Sequence, residues 1–233
     1  MFSDSLPRRP GFHFWFSQLA TRRRRRRKRA GWNKHWSRDD FDRPWLGRGV
    51  SREVITAVRE GWFPARGKAI DLGCGEGEIA AWLASQGYEA IGVDIAPAAV
   101  QRAQGKYAVA SGQLLFTAHD LCIRPPPGGP YSILVDRGCY HQISDRDLMI
   151  YGRHLREAST ADARLLLLHK AFRNGIPLGD QAESQRVLDR VLRGLGPHFV
   201  VERREPTFMD AFQGENPERA LPGLVFWMRK RGE

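Results

Sequence analysis

Glycines alternate with other residues in one short stretch of the chain, a spacing that suits close approach between backbone and ligand. The stretch reads Ala69-Ile70-Asp71-Leu72-Gly73-Cys74-Gly75-Glu76-Gly77 and leads directly into an apolar helical pattern. Gly73, Gly75 and Gly77 allow the backbone to turn sharply, and the amides that open the following helix can meet an anionic group. The stretch therefore predicts a site for a nucleotide-like cofactor.

The position of the third glycine distinguishes between two kinds of cofactor. A dinucleotide-binding loop carries its third glycine three residues after the second, where this chain has Glu78, whereas its own third glycine is Gly77. Asp71 also brings a carboxylate near the loop, which suits a cationic amino group better than a pyrophosphate. Both features favour S-adenosylmethionine.

Acidic residues end the next two apolar runs. Asp94 lies 21 residues after Gly73 and is followed by Ile95, so its carboxylate can accept hydrogen bonds from ribose hydroxyls. Asp120, followed by Leu121, ends the next run, where an acid can receive an adenine amino group. We expect these four residues to complete the cofactor site.

A fourth apolar run ends in Asp136-Arg137-Gly138-Cys139-Tyr140-His141, at the edge where open α/β sheets bind ligands. Methyl transfer from a sulfonium is an in-line displacement, so positioning of the nucleophile is the main requirement. A phenol benefits from a base, whereas a thiol needs little help. We predict His141 and Tyr140 as proton acceptors or substrate-orienting groups and Asp136 as a substrate or cofactor contact. A structural role for His141 and Tyr140 is the alternative.

The elements that position these residues form an alternating pattern. Short apolar runs alternate with segments of helical period, which is typical of a parallel sheet covered by helices on both faces. Strands are predicted at 68–72, 89–93, 114–117, 131–136, 164–168, 199–205 and 223–229, and helices at 51–61, 78–85, 98–109, 145–157 and 183–195.

In motif order and spacing, residues 43–233 resemble the class I S-adenosylmethionine-dependent methyltransferases. The resemblance implies a Rossmann-like, seven-stranded, mostly parallel sheet with helices on both faces and an antiparallel last strand. It also implies that Asp71 and Gly73 hold the methionine moiety, Asp94 the ribose, and Asp120 with the Leu121 amide the adenine. Gly75 and Gly77 complete the glycine loop of this cofactor site.

The segment from Asp136 to His141 resembles that of the thiopurine, thiol/halide and tellurite-resistance group of small-molecule methyltransferases. Arg43-Pro44-Trp45-Leu46-Gly47 resembles a second segment of this group, whose aromatic residue, here Trp45, lies near the cofactor. Two departures are Leu46, where the group often has an acid, and Tyr140, where Phe is more usual.

The positive charge of the chain is concentrated near its N-terminus. Residues 1–44 hold thirteen Lys/Arg and four acids, so they carry +9 of the net charge of +11. Residues 22–29 are eight consecutive basic residues, and because like charges repel, we expect part of a basic extension, residues 1–42, to be disordered. A weak contact between this basic run and nucleic acid or an anionic membrane is one option, and solvation alone is the other.

The sequence thus predicts a methyltransferase domain over residues 43–233, acting on a small molecule through a thiol, chalcogen or aromatic hydroxyl nucleophile. One alternative is an RNA or protein methyltransferase that docks through the Arg-rich run; another is an inactive, cofactor-binding regulatory protein. Three cysteines cannot all pair within one chain, which favours a cytoplasmic setting, and no Cys/His spacing indicates a metal site. No apolar run approaches the roughly 20 residues of a membrane-spanning helix.

Overall fold

The protein is described by a computed structural model that covers residues 12–39, 49–107, 113–172, 175–209 and 221–232, with the backbone alone for 12–20. Seven strands lie where the apolar runs predict them. They are β1 (Lys68–Leu72), β2 (Glu89–Asp94), β3 (Leu114–Ala118), β4 (Tyr131–Arg137), β5 (Ser159–Lys170), β6 (Phe199–Phe208) and β7 (Pro222–Lys230).

The strands form one sheet in the order β3-β2-β1-β4-β5-β7-β6. Pairing is parallel from β3 to β5, and β7 runs antiparallel to both β5 and β6. This arrangement confirms the predicted Rossmann-like sheet with its antiparallel last strand. β5 begins five residues earlier than predicted, because Ser159 pairs with Tyr131 ahead of a register shift in β4.

Helices cover both faces of the sheet. They are α1 (Phe12–Trp36), α2 (Arg52–Arg59), α3 (Glu78–Ser85), α4 (Pro97–Lys106), α5 (Leu148–Glu157) and α6 (Gln181–Gly194), with a short 3-10 turn at Tyr140–Gln142. Val54, Leu83 and Val100 belong to the hydrophobic core on the α2, α3 and α4 face. Leu155 and Val187 belong to the core on the α5 and α6 face. Strand residues alternate between these cores, as the two-residue period of a strand requires.

The basic run, residues 22–29, forms part of α1, and the expectation that part of residues 1–42 is disordered stays a prediction. Arginine and lysine are good helix formers. Residues three or four positions apart along α1 form one stripe that the rest of the protein covers. That stripe consists of Thr21, Arg24, Arg25, Lys28, Trp32, Asn33 and Trp36, whereas Arg22, Arg23, Arg26, Arg27 and Arg29 are exposed. Among the described residues, no helix has the length and apolar character to cross a membrane.

Candidate active site

The carboxyl ends of β1 to β5 form one continuous edge, held together by backbone hydrogen bonds between neighbouring loops. The amides of Gly73 and Cys74 donate to the Val93 carbonyl at 2.8 and 2.9 Å, and His119 donates to the Asp94 carbonyl at 2.8 Å. On the other side of β1, the Gly138 amide donates to Leu168. The loops that carry the predicted site residues are therefore fixed relative to one another.

The glycine loop turns through left-handed conformations that explain its composition. Gly73, Gly75 and Gly77 have φ angles of 76°, 54° and 85°, a region that side chains other than glycine rarely adopt. Space is limiting as well, since a Cβ on Gly77 would fall 2.5 Å from the ring of Phe116. Gly73 and Gly75 lie on the wall of a cavity, and Gly77 instead begins α3.

Asp71 lies beneath the loop and not on the cavity wall formed by the described residues. Its carboxylate accepts a hydrogen bond from the Ala80 amide at 3.3 Å, which ties β1 to α3. Burial raises the pKa of Asp71 to about 8, with the Ala80 bond acting in the opposite direction. This geometry differs from the implied direct contact with the methionine moiety, because the carboxylate is turned towards the helix.

Asp94 and Asp120 both lie on the cavity wall, with Ile95 and Leu121 beside them. The Asp94 carboxylate accepts hydrogen bonds from the amides of Gly75 at 3.1 Å and Ala96 at 2.8 Å. Burial raises the pKa of Asp94, and these amide bonds oppose the rise. Asp120 accepts from the Cys122 amide at 2.9 Å. Because each carboxylate oxygen has more than one lone pair, both groups can also accept from a ligand.

An aromatic side chain that the sequence interpretation missed lies beside the glycine loop. Trp36, near the end of α1, is 4% exposed and packs with Ala96 and Ala99 at the start of α4. A Cβ on Gly75 would lie 3.0 Å from its ring. Trp45, the aromatic residue predicted for this role, lies outside the described residues. The four-residue spacing of Lys28, Trp32 and Trp36 was the available signal.

Asp136 and Tyr140 are fully buried and do not line the cavity, in contrast to their predicted catalytic or contact roles. Asp136 accepts hydrogen bonds from the Cys139 and Tyr140 amides at 2.8 and 3.0 Å and from the Tyr151 hydroxyl at 2.5 Å. Tyr140 donates to the Arg190 carbonyl at 2.9 Å. Burial raises the pKa of Asp136 to about 6 despite these bonds. Both side chains hold the 3-10 turn in place.

His141 is the predicted catalytic residue that the structure does bring to the cavity wall. Its ring lies over Gly138, where a Cβ would come within 3.2 Å of the imidazole. The Lys170 amide donates a long hydrogen bond of 3.5 Å to Nδ1, and the His169 ring packs 5.6 Å away, centroid to centroid.

The three cysteines are unpaired. Burial raises the thiol pKa of Cys74 and Cys139 well above the ordinary value, and that of Cys122 to about 12. Burial therefore favours the neutral thiol at each of the three positions. Within the part of the chain that the structure describes, no cluster of His, Cys, Asp or Glu could hold a metal ion.

α1 covers the edge of the sheet and closes one side of the cavity, whose volume is about 340 Å³. At its C-terminal end, the Asn33 side chain accepts a hydrogen bond from the Ala98 amide at 2.9 Å, and Arg102 donates to the Trp36 carbonyl at 2.8 Å. Towards its middle, Arg24 and Arg25 pair with Asp147 at 2.9 and 3.0 Å. α1 thus reaches from α4 to the start of α5, above the cavity.

The described wall fits S-adenosylmethionine. Two buried or half-buried carboxylates that can accept from ribose and adenine lie at the ends of β2 and β3, and an indole and apolar side chains lie beside them. The glycine loop brings backbone within reach of the same space. The carboxylates can accept hydrogen bonds from the nucleoside, and the indole offers a flat surface beside them. The glycine loop lets the backbone approach the rest of the cofactor closely.

Comparison with known proteins points to the same class. Residues 69–159 match the family model described as "Methyltransferase domain". A 2-heptyl-1-hydroxyquinolin-4(1H)-one methyltransferase of Mycobacteroides abscessus is 28% identical over 127 residues, which cover 54% of this chain and 55% of that protein. The match thus spans about half the length of that relative.

Solved structures share the fold at low identity. One, from echinomycin biosynthesis, where a disulfide bond is converted into a thioacetal group, matches with a TM-score of 0.65 at 19% identity, over 81% of this chain and 84% of that one. Another is the 1,6-didemethyltoxoflavin-N1-methyltransferase of Burkholderia thailandensis, solved with its substrate and S-adenosylhomocysteine; it matches with a TM-score of 0.56 at 15% identity, over 98% and 93% of the two chains.

The domain match, the sheet order and the acids at the ends of β2 and β3 lead to one classification. Residues 69–159 carry a methyltransferase domain, the fold is that of S-adenosylmethionine-dependent methyltransferases, and S-adenosylmethionine is the cofactor.

Proposed function

We propose that the protein methylates a small molecule through a thiol, chalcogen or aromatic hydroxyl nucleophile. The observation that carries the proposal is the cavity of about 340 Å³ beneath α1. Cavities of a few hundred Å³ are typical of small-ligand sites, and a site covered by a helix is poorly suited to an RNA stem or a folded protein. The names of two relatives support the proposal, since both act on small heteroaromatic compounds.

Within this proposal, Asp94 binds the ribose and Asp120 the adenine, and Trp36 packs beside the glycine loop. When bound, S-adenosylmethionine supplies the methyl group. The protein's own residues hold the nucleophile near the methyl carbon and exclude water, since orientation is the main contribution that this displacement needs. Asp136 and Tyr140 act as positioning residues, because they fix the turn that presents His141.

The narrower resemblance to the thiopurine, thiol/halide and tellurite-resistance group stays a prediction. So do the division of the chain at residue 42 and the alternatives of an RNA or protein substrate and of an inactive regulatory protein. The exposed arginines of α1 are compatible with docking of a polyanion, but the covered stripe of the same helix lines the cavity. This second fact favours a role for α1 in small-molecule binding.

The test is a screen for release of S-adenosylhomocysteine with thiols, selenols, halides, phenols and hydroxyquinolones. We expect turnover with at least one soft or aromatic oxygen nucleophile, and loss of that turnover in Asp94→Ala. Turnover with RNA or protein, and with none of these compounds, would favour an RNA or protein methyltransferase. Cofactor binding without any turnover would favour an inactive regulatory protein.

A further inference from the structure

The face of α1 that points away from the cavity is lined by arginines. Arg22, Arg23, Arg26, Arg27 and Arg29 are exposed, at the three- and four-residue spacing that places side chains on one face of a helix. Within the part of the chain that the structure describes, none of the five forms an ion pair, and α1 contains no aspartate or glutamate. The outer face of α1 therefore carries five positive charges that the fold does not neutralise.

Contacts on the opposite side of the helix hold this face in place. Arg24 and Arg25 pair with Asp147 at 2.9 and 3.0 Å, and the Asn33 side chain accepts a hydrogen bond from the Ala98 amide at 2.9 Å. Like charges four positions apart on a helix repel each other, and these contacts stabilise α1 against that repulsion. The exposed charges thus form a preformed surface, so a partner does not have to order the backbone when it binds.

The density of charge on this surface matches that of a nucleic acid duplex. Residues 22 to 29 rise through about 10 Å, because an α-helix rises about 1.5 Å per residue. Duplex DNA carries one negative charge per about 1.7 Å of its axis, which gives about six charges over the same length. A guanidinium group also binds phosphate through two parallel hydrogen bonds. Five arginines can therefore neutralise most of the phosphate charge that lies opposite them.

A membrane surface fits the same face less well. A helix that lies in the interface of a membrane buries an apolar face among the headgroups. Between Thr21 and Trp36, the large apolar side chains are Trp32 and Trp36, and both pack at the start of α4. Apart from the arginines, the exposed residues of this range are Ala30, Gly31, Lys34 and His35. Within this range, the outer face therefore offers no large apolar side chain for insertion.

We propose that the exposed arginine face of α1 binds the phosphate backbone of a nucleic acid duplex, irrespective of its base sequence. Contacts to phosphate fix position without reading bases. The covered stripe of the same helix lines the cavity, so the bound duplex lies outside the cavity and is not the methyl acceptor. Docking keeps the enzyme at a nucleic acid while it methylates another molecule, and the docking surface is independent of what that molecule is.

The experiment measures the binding of a labelled DNA duplex to the protein by fluorescence anisotropy at several salt concentrations. Replacement of Arg22, Arg26 and Arg29 by Gln removes one row of the outer face, and Gln is also a good helix former. We expect the Kd of the duplex to rise about 10-fold or more, and the slope of log K against log salt to fall by about 0.9 for each phosphate contact that is lost. Circular dichroism checks that α1 is retained.

The matched control replaces Arg59, Arg66 and Arg156 by Gln. These arginines are exposed and precede β1 or β5, at the opposite edge of the sheet from α1. Both triple variants lower the net charge from +11 to +8, so a difference between them reflects the position of the charges and not their sum. We expect the control to keep the Kd of the duplex within about twofold and to keep the salt slope.

A second measurement separates the docking face from the cavity. The Kd of S-adenosylhomocysteine, measured by calorimetry, should be the same with and without saturating duplex, because the two ligands bind on opposite sides of α1. Competition between them would place the nucleic acid in the cavity and overturn the separate docking face.

Two further outcomes would overturn the proposal. Equal affinity of the two triple variants for the duplex would assign the binding to net charge and not to α1. Binding to vesicles of phosphatidylserine and phosphatidylcholine, without binding to the duplex, would assign the arginine face to a membrane. Failure to find a small-molecule substrate would count against the proposed function alone, because duplex binding is measured without turnover.

Discussion

The two ends of the cavity are built by different means. At the β2 and β3 end, acidic side chains accept hydrogen bonds from backbone amides of their own or the adjacent loop. Asp94, for example, accepts from Gly75 and Ala96. At the β4 and β5 end, the wall depends on contacts between residues far apart in the chain, such as Arg25 with Asp147, 122 residues apart. The first end is built by the loops of the parallel sheet and the C-terminal end of α1, whereas the second also includes the contact of the middle of α1 with Asp147.

The β2 and β3 end carries the carboxylates of Asp94 and Asp120, which match the hydroxyls and amino groups of the cofactor. The contrast implies that the ends can be disturbed separately. Variants at the β2 end should change cofactor affinity, and variants in the middle of α1, beside Asp147, should change substrate affinity.

The largest effect is expected at the cofactor end. Asp94→Ala removes a charged acceptor that is 8% exposed and leaves two buried amides without their acceptor. Loss of one charge-assisted hydrogen bond to the ribose costs about 1.5–3 kcal/mol, or roughly 10- to 150-fold in the Kd of S-adenosylhomocysteine measured by calorimetry. Asp94→Asn, which keeps one acceptor, should lose less, and the exposed Asp162→Ala should lose nothing. Wild-type affinity in Asp94→Ala would remove Asp94 from the site.

The difference between local contacts and contacts over a long sequence distance also explains what could be predicted from the sequence. The strands, the glycine loop and the acids that follow β2 and β3 were predictable, because apolar periodicity and turn glycines are local signals. The fold and enzyme class were confirmed. The roles of Asp94, Asp120 and His141 stay predictions, although all three lie on the cavity wall.

The surroundings of Asp136 and of the basic run depend on partners that are distant in the sequence. Asp136 is a strand-end acid by sequence, but Tyr151 on α5 and two amides of the turn enclose it. The basic run repels itself as an isolated peptide, yet within the fold Arg24 and Arg25 pair with Asp147, and tryptophans at helical spacing anchor the rest of the helix. The contacts of Asp136 with Tyr151 and of the arginines with Asp147 leave no pattern in the local sequence.

An intermediate effect is expected where α1 meets α5. Burial alone would raise the pKa of Asp147, but hydrogen bonds from Ser144 and Arg25, and the charges of Arg25 and Arg24, lower it. The resulting stabilisation is fully present above the ordinary pKa of an aspartate and is lost as the pH falls through the lowered one. Asp147→Ala should therefore loosen α1 at neutral pH and weaken substrate binding up to about tenfold.

The measurement for Asp147→Ala is the KM of an accepted substrate together with the Kd of S-adenosylhomocysteine. We expect the KM to rise by more than the Kd, because the change lies at the substrate end. Glu157→Ala, which removes an exposed ion pair with Arg153 on α5, is the matched control and should leave both constants unchanged. Equal increases in both constants for Asp147→Ala would contradict the separation of the two ends.

The smallest effect on catalysis is expected from the five exposed arginines of α1. Replacement of Arg22, Arg23, Arg26, Arg27 and Arg29 by Gln lowers the net charge from +11 to +6 but leaves the covered stripe intact, and Gln is also a good helix former. Since exposed charges contribute little to stability or to a site that they do not touch, kcat/KM should stay within about twofold and cofactor affinity should not change.

The same five replacements should have a large effect on the binding of any polyanion. We expect the affinity for a labelled single-stranded oligonucleotide, followed by anisotropy, to weaken strongly, and the slope of log K against log salt to fall by about 0.7 for each phosphate that the variant no longer neutralises. Such a result would show that one face of the helix serves the cavity and the opposite face serves an anionic partner. Loss of methyl transfer in the five-fold variant, with α1 still helical by circular dichroism, would contradict this division, because it would mean that the exposed arginines act on the substrate as well.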